Sequence, residues 1–198
     1  MDNRKKILKV SLDLFHQKGY DAISVQEIVE RAGITKPTLY YYFGSKNGLL
    51  QAILEDGFSR LRKQIDPVMR DTYQRDIRDV LFDLAKAFLS FATSDSKFFF
   101  FMLSLMYSAR QNEAYEAVKP HLHKLYRSVI ELFEKEEYQL GNMNGRQEQF
   151  AMGFLGFLNQ YAFTFSEKHY EEEYVLKEHV SDEAIRALVQ QFMYGIVS

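Results

Sequence analysis

The chain has 198 residues, of which 46% are hydrophobic and 26% are charged, and its 25 Lys and Arg stand against 27 Asp and Glu. This composition is too apolar for a disordered chain, and the length suits one sizeable domain or a small domain joined to a larger one. Because the sequence contains no Cys, disulfide frameworks, thiolate metal sites and Cys nucleophiles are excluded.

Charge is distributed unevenly along the chain. Residues 1–50 carry eight Lys and Arg against five Asp and Glu, a net charge of +3, whereas the remainder has a net charge of −5. A basic segment ahead of an acidic body is typical of a polyanion-binding module, and random scatter is the alternative. Lys9 and Asp13 interrupt any signal-peptide core, and the longest apolar run, 98–106, is far shorter than the roughly 20 residues of a membrane helix. We therefore expect a soluble, cytoplasmic protein with no membrane partner.

Apolar residues recur every three to four positions through most of the chain, which predicts an all-α fold. The first predicted helix spans 3–18. A capping box from Ser24 to Glu27 starts a short helix over 25–32, and Thr35 caps a third helix over 36–43. Gly33 separates the second and third helices. The first 46 residues are therefore predicted to form a three-helix head.

The remaining residues, 47–198, are predicted to form a larger helical body. Ser45 caps a fourth helix over about 45–64, which ends before Pro67 and joins head to body. We place a helix start or kink at Pro120 and N-caps at Asp95 and Ser181. The further predicted helices are 74–93, 95–109, 120–138, 146–168 and 182–197.

Two short helices joined by a Gly-containing turn form a helix-turn-helix arrangement, whose second helix can lie in the major groove of DNA. Here that second helix would bury Leu39 and Phe43. Three consecutive tyrosines follow Leu39, and they cannot all face one core because a helix spreads them over about 200°. Packing is the alternative for any single one of them. An exposed amine, hydroxyl, proline ring and phenols suit contacts with phosphates, bases and thymine methyls.

The segment from Ser24 to Leu50 strongly resembles the DNA-binding signature of the TetR family of bacterial transcriptional regulators. Its most specific part is Leu39-Tyr40-Tyr41-Tyr42-Phe43 followed by Ser45-Lys46. The resemblance covers about residues 5–54, and beyond them extends only to length and helix count. Tyr42 stands where many members have His, and Pro37 where many have Gly, so the operator sequence is left open.

The resemblance implies a set of residues that contact a double-stranded DNA operator. It puts Lys36, Pro37 and Thr38 nearest the bases. Phosphate contacts are assigned to Thr35, Tyr40, Tyr41 and Lys46. The full predicted set also includes Ser24, Gln26 and Tyr42.

The body contains 24 of the 30 aromatic residues, including four consecutive Phe at 98–101 that cover every face of a helix. That helix must be buried nearly all round or line a cavity. The resemblance implies a cavity for a small-molecule effector, and the composition favours a largely apolar or aromatic ligand. Ordinary core is the alternative for each residue. The candidate lining residues are Phe58, Phe91, Phe101, Met102, Tyr107, Tyr126, Phe154 and Tyr161.

Other functions are less well supported by the residues. His121 and His123 diverge by about 200° on a helix and cannot chelate one ion together. An acidic stretch, His169 to Glu173, is read as a solvated loop rather than a cation site. Without a phosphate loop or a nucleophile signature, we predict no enzyme, catalytic residue, metal or cofactor.

By resemblance the last two helices form a homodimer interface and the protein is a repressor. The alternative is a helical ligand carrier or protein-interaction module without DNA binding, which would leave the basic head and the Tyr run unexplained.

Overall fold

The computed structural model describes residues 2–141, 143–165 and 180–195, and over these residues the chain forms helices and no strand. The all-α prediction is thereby confirmed. Every described helix is too short or too polar to cross a lipid bilayer. The helices are α1 (Asn3–Lys18), α2 (Val25–Ala32), α3 (Lys36–Phe43), α4 (Lys46–Arg70), α5 (Ile77–Ser94), α6 (Ser96–Met106), α7 (Glu113–Lys135), α8 (Gln147–Thr164) and α9 (Asp182–Tyr194), with a 3-10 turn at Glu137–Gln139.

Side-chain caps define the starts of the first four helices, and the predicted bounds of α1, α2 and α3 are confirmed at both ends. Ser24 Oγ accepts a hydrogen bond from the Glu27 N–H at 3.1 Å, and Ser45 Oγ accepts one from the Gly48 N–H at 2.9 Å. The Glu27 carboxylate, the other half of the predicted capping box, is engaged by Lys18 Nζ at 2.6 Å. Each cap satisfies a backbone donor that the first turn leaves without a helical partner.

Helix α4 does not end near residue 64, as predicted, but continues through Pro67 to Arg70. A proline inside a helix removes one hydrogen bond and costs about 3 kcal/mol. Here the apolar face continues past that point, with Leu61 and Ile65 buried and Met69 half-buried at four-residue spacing. Pro67 lies on the exposed side, so burial of the opposite face keeps the helix intact.

The predicted helix start at Pro120 is also wrong, because α7 begins at Glu113. Asn112 Oδ1 accepts a hydrogen bond from the Ala114 N–H at 2.8 Å and so caps the first turn. Buried Ala117 and Val118 carry the apolar face up to the exposed proline. The other predicted body helices correspond to α5, α6, α8 and α9, while positions 166–168 and 196–197 lie outside the described residues.

The chain divides into two compact units, one formed by residues up to 60 with 95–122 and the other by residues 61–94 with those from 123 onward. Helices α4 and α7 each contribute residues to both units. In the first unit, α1 packs against α2 and α6. Three of the four consecutive Phe of α6 are buried and Phe100 is half-buried, so this helix is buried nearly all round, as expected. In the second unit, α5 packs against α8 and α9.

Candidate nucleic-acid interface

A three-residue turn, Gly33 to Thr35, joins α2 to α3. Gly33 has φ +62°, and its N–H bonds to the Glu30 carbonyl at 3.1 Å while the Ile34 N–H bonds to the Val29 carbonyl at 3.0 Å. This pair of bonds is a Schellman motif, which a glycine in the left-handed region permits. The turn therefore ends α2 and sets the direction in which α3 leaves it.

One face of α3 is anchored in the head and the other is open. Leu39 is fully buried, as are Ile28 and Ala32 of α2, and the two helices pack together. Phe43, predicted to share that buried face, is half-buried. The Arg4 guanidinium lies over the Phe43 ring, with its central carbon 5.7 Å from the ring centroid. Arg4 thus adds a cation beside α3 that the sequence prediction did not include, although it belongs to the basic start of the chain.

The three tyrosines of α3 are all exposed, and the prediction that at least one must leave the core is confirmed. Tyr41 is 83% exposed, Tyr40 46% and Tyr42 36%, and the rings of Tyr41 and Tyr42 meet edge to face at 5.2 Å. Lys36 and Pro37 are exposed on the first turn of the same helix. Together these side chains present an amine, phenols and an apolar ring to the solvent.

Hydroxyl groups at the start of α3 are held by the cap of the helix. Thr35 Oγ1 accepts a hydrogen bond from the Thr38 N–H at 3.4 Å, and the two Thr hydroxyl oxygens are 2.9 Å apart. Ser24 and Gln26 of the predicted contact set are exposed on α2 and its cap. The Ser24 hydroxyl caps α2, and the Gln26 amide donates to the Glu30 carboxylate.

Lys46, at the start of α4, is half-buried rather than extended into solvent. Its ammonium lies 4.1 Å from the centroid of the Tyr20 ring. Burial lowers the pKa of Lys46, while the negative charges of Asp21 and Glu113 act in the opposite direction. The sequence predicted where Lys46 stands on its helix, but nothing in it indicated that Glu113 of α7 would be a neighbour.

The predicted effector residues fall into both units and most of them are core. Phe58, Phe91, Phe101, Met102 and Phe154 are each 1% exposed, Tyr126 and Tyr161 are half-buried, and Tyr107 is 79% exposed. In the first unit Phe58 stacks on His121 at 4.8 Å and meets Phe98 edge to face at 5.7 Å. In the second unit Phe154 meets Phe192 at 5.0 Å.

No group of three or more His, Asp and Glu is placed to hold a metal ion among the residues that the structure describes. The acidic stretch from His169 to Glu173 lies outside those residues.

The head is similar to a family of DNA-binding proteins. Residues 7–53 match the family described as bacterial regulatory proteins, tetR family. The HTH-type transcriptional repressor BdcR of Escherichia coli K12 is 38% identical over 73 residues, 37% of this chain and 36% of that protein. The HTH-type transcriptional activator FasR of Mycolicibacterium smegmatis is 33% identical over 96 residues, 48% of this chain and 43% of that protein. The matched segments thus span less than half the length of these two relatives.

Solved structures extend the likeness to the whole chain. A transcriptional regulator of the TerR/AcrR family from Aquifex aeolicus VF5 is 26% identical with a TM-score of 0.68, covering 94% of this chain and 99% of that one. The fatty acid degradation regulator FadR from Bacillus halodurans has a TM-score of 0.78 at 16% identity, covering 99% of this chain and 97% of that one. At that identity the second likeness concerns the fold alone.

Proposed function

We propose that this chain, whose residues 7–53 match the tetR family of bacterial regulatory proteins, binds a near-palindromic operator as a homodimer and is released by a small, largely apolar or aromatic effector. The observation that carries the proposal is the exposed face of α3, with three phenols and Lys36 above a fully buried Leu39. We propose repression rather than activation because occluding a promoter requires only the dimer and its operator. A reporter gene placed downstream of the operator distinguishes the two: repression predicts that expression falls when the protein is present.

The contacts we propose follow the chemistry of the face. Lys36, Pro37 and Thr38, on the first turn of α3, are assigned to base edges, as helix-turn-helix proteins read bases with the start of the second helix. Thr35, Tyr40, Tyr41 and Lys46 are assigned to phosphates, because hydroxyl groups and an ammonium donate readily to phosphate oxygens. Ser24, Gln26 and Tyr42 complete the proposed interface.

Helices α8 and α9 are the dimer surface that we propose. Met152 and Phe163 of α8 and Tyr194 of α9 are exposed apolar side chains. A Cβ added at Gly156 of α8 would meet no atom of the described residues within 4 Å, so another helix has room to approach this face. Two copies joined in this way would carry two heads, which matches the two half-sites of a palindrome about one helical turn, ~34 Å, apart.

Association and selection together test the proposal. We expect a dimer by sedimentation at micromolar concentration, and a near-palindromic sequence from a random pool of duplexes. Phe163→Glu should shift the protein toward monomer because it places a charge in the proposed interface. Tyr73→Glu alters another exposed aromatic residue, in the segment between α4 and α5, and should leave the dimer intact. A monomer that selects no duplex would contradict the proposal and favour a helical carrier or interaction module.

Substitutions in the head should separate phosphate contacts from base contacts. Lys46→Ala and Tyr41→Phe are expected to weaken binding to all duplexes about equally, whereas Lys36→Ala should also change the preferred bases. Loss of the Lys46 contact should reduce the salt dependence of binding by roughly one unit per contact. Titrations of selected and scrambled duplexes at several salt concentrations measure both effects.

Lys63→Ala, at an exposed position late in α4, is the matched control for loss of one cation. Circular dichroism confirms that each variant keeps its helices. Unchanged affinity and salt dependence in Lys46→Ala would contradict the phosphate assignment.

A further inference from the structure

Lys46 belongs to a cluster that joins the head to the first turn of α7. Tyr20 contributes its ring beneath the ammonium and donates its hydroxyl to Glu113 Oε2 at 2.8 Å. Beside this bond, the Asn112 side-chain amide donates to Asp21 Oδ2 at 2.6 Å. Two hydrogen bonds therefore tie the turn between α1 and α2 to the start of α7, and Lys46 lies next to one of them.

The bond between Tyr20 and Glu113 has a fixed donor and a fixed acceptor. Tyr20 is buried, and burial together with the bond to Glu113 raises the pKa of its phenol. The phenol therefore stays protonated at neutral pH and donates, while the carboxylate accepts. A neutral glutamine could accept the same bond, but it would not carry the charge.

This charge acts on Lys46. The ammonium is attracted by the face of the Tyr20 ring and by the carboxylates of Asp21 and Glu113. A DNA phosphate that approaches Lys46 must compete with these groups and is itself repelled by the two carboxylates. Both the competition for Lys46 and the repulsion of the phosphate lower the affinity for DNA.

We propose that Glu113 is a regulatory carboxylate that competes with the DNA phosphate for Lys46, so that the position of the first turn of α7 sets the affinity for DNA. This inference rests on the proposed function, because it needs Lys46 to meet a phosphate. Helix α7 continues from Glu113 to Lys135, and the same helix carries the side chain of His121 that stacks on Phe58. A shift of α7 toward or away from Tyr20 would change how strongly Lys46 is held.

Neutralising Glu113 tests the competition. Glu113→Gln should tighten binding to the selected duplex about two- to fivefold per head, the range expected for one exposed ion pair. Glu116→Gln is the matched control because it removes the same charge from the same helical turn, where Glu116 lies 3.8 Å from Lys119. In a Lys46→Ala background the gain from Glu113→Gln should fall, because only the direct repulsion of the phosphate is then relieved. An unchanged affinity in Glu113→Gln, or a gain that is undiminished without Lys46, would overturn the proposal.

A measurement without DNA separates this inference from the proposed function. The ε-methylene protons of Lys46 should show a ring-current shift in wild type and in Tyr20→Phe, and should lose it in Tyr20→Leu. An unshifted Lys46 in wild type would overturn the cluster whatever the protein binds. If Lys46 is shifted and wild type binds no duplex at low salt, the proposed function fails and the competition falls with it, while the contact itself stands.

Discussion

Gly57→Ala is expected to destabilise the protein by about 1–3 kcal/mol, the usual cost of an overpacked core. A Cβ at position 57 would lie 2.1–2.3 Å from three carbons of the Phe98 ring, whereas carbon atoms in contact prefer about 3.5–4.0 Å. The ring has little freedom to move because Phe98 is fully buried, meets Phe58 edge to face at 5.7 Å and lies 5.8 Å from the Arg60 guanidinium. The cost therefore outweighs the gain of up to about 1 kcal/mol that alanine brings to a helix.

Urea denaturation of the purified variants measures this change in unfolding free energy. Gln51→Ala places an alanine at an exposed position of the same helix and should stay within about 0.5 kcal/mol of wild type. Phe98→Leu should make room for the new methyl, so the double variant should be more stable than the sum of the two single changes predicts. If the two changes in unfolding free energy were strictly additive, the Phe98 ring would not be the reason why position 57 requires glycine.

The head could be predicted residue by residue because its signals are local. Ser24, Gly33 and Thr35 act on backbone groups within a few positions of themselves, and the resulting ends of α2 and α3 agree with the structure. The exposure of the tyrosines follows from the geometry of one helix. Contacts between distant segments have no such signal, which is why neither the closeness of Gly57 to Phe98 nor that of Tyr20 to Glu113 was predicted.

Local signals failed where tertiary contacts outweighed them. Asp95 stands at the N-cap position of α6, as predicted, but its carboxylate makes no cap bond and accepts from Arg60 Nε at 2.6 Å instead. Pro67 and Pro120 lie inside helices because the opposite faces of α4 and α7 are buried. A charged partner thus determined the hydrogen bond of Asp95, and a continuous buried face kept each proline inside its helix. Neither feature can be recognised in a short stretch of sequence.

Helix α4 provides the physical link between DNA and effector in the proposed function. It begins at Lys46, carries Phe58 along its length and continues as one helix to Arg70. Phe58 contacts Phe98 of α6 and His121 of α7, so a displacement of either helix would change the packing of Phe58. An effector that binds better to a conformation with wrongly spaced heads must weaken DNA binding, and DNA must weaken effector binding by the same factor.

We expect a saturating effector to lower operator affinity roughly 5- to 150-fold, which corresponds to a coupling of about 1–3 kcal/mol. A ligand found by thermal-shift screening, followed by operator titrations with and without it, measures the factor. Phe58→Ala should reduce the coupling. Phe58→Leu keeps an apolar side chain in the core, so it provides a second test of the same role if Phe58→Ala fails to fold. Phe82→Leu removes another buried ring, from α5 of the second unit and outside the candidate effector residues, and serves as the matched control. Equal operator affinity with and without bound ligand would reject the coupling. Full coupling in both Phe58 variants would reject only the role of Phe58, because α4 would then respond through its other contacts.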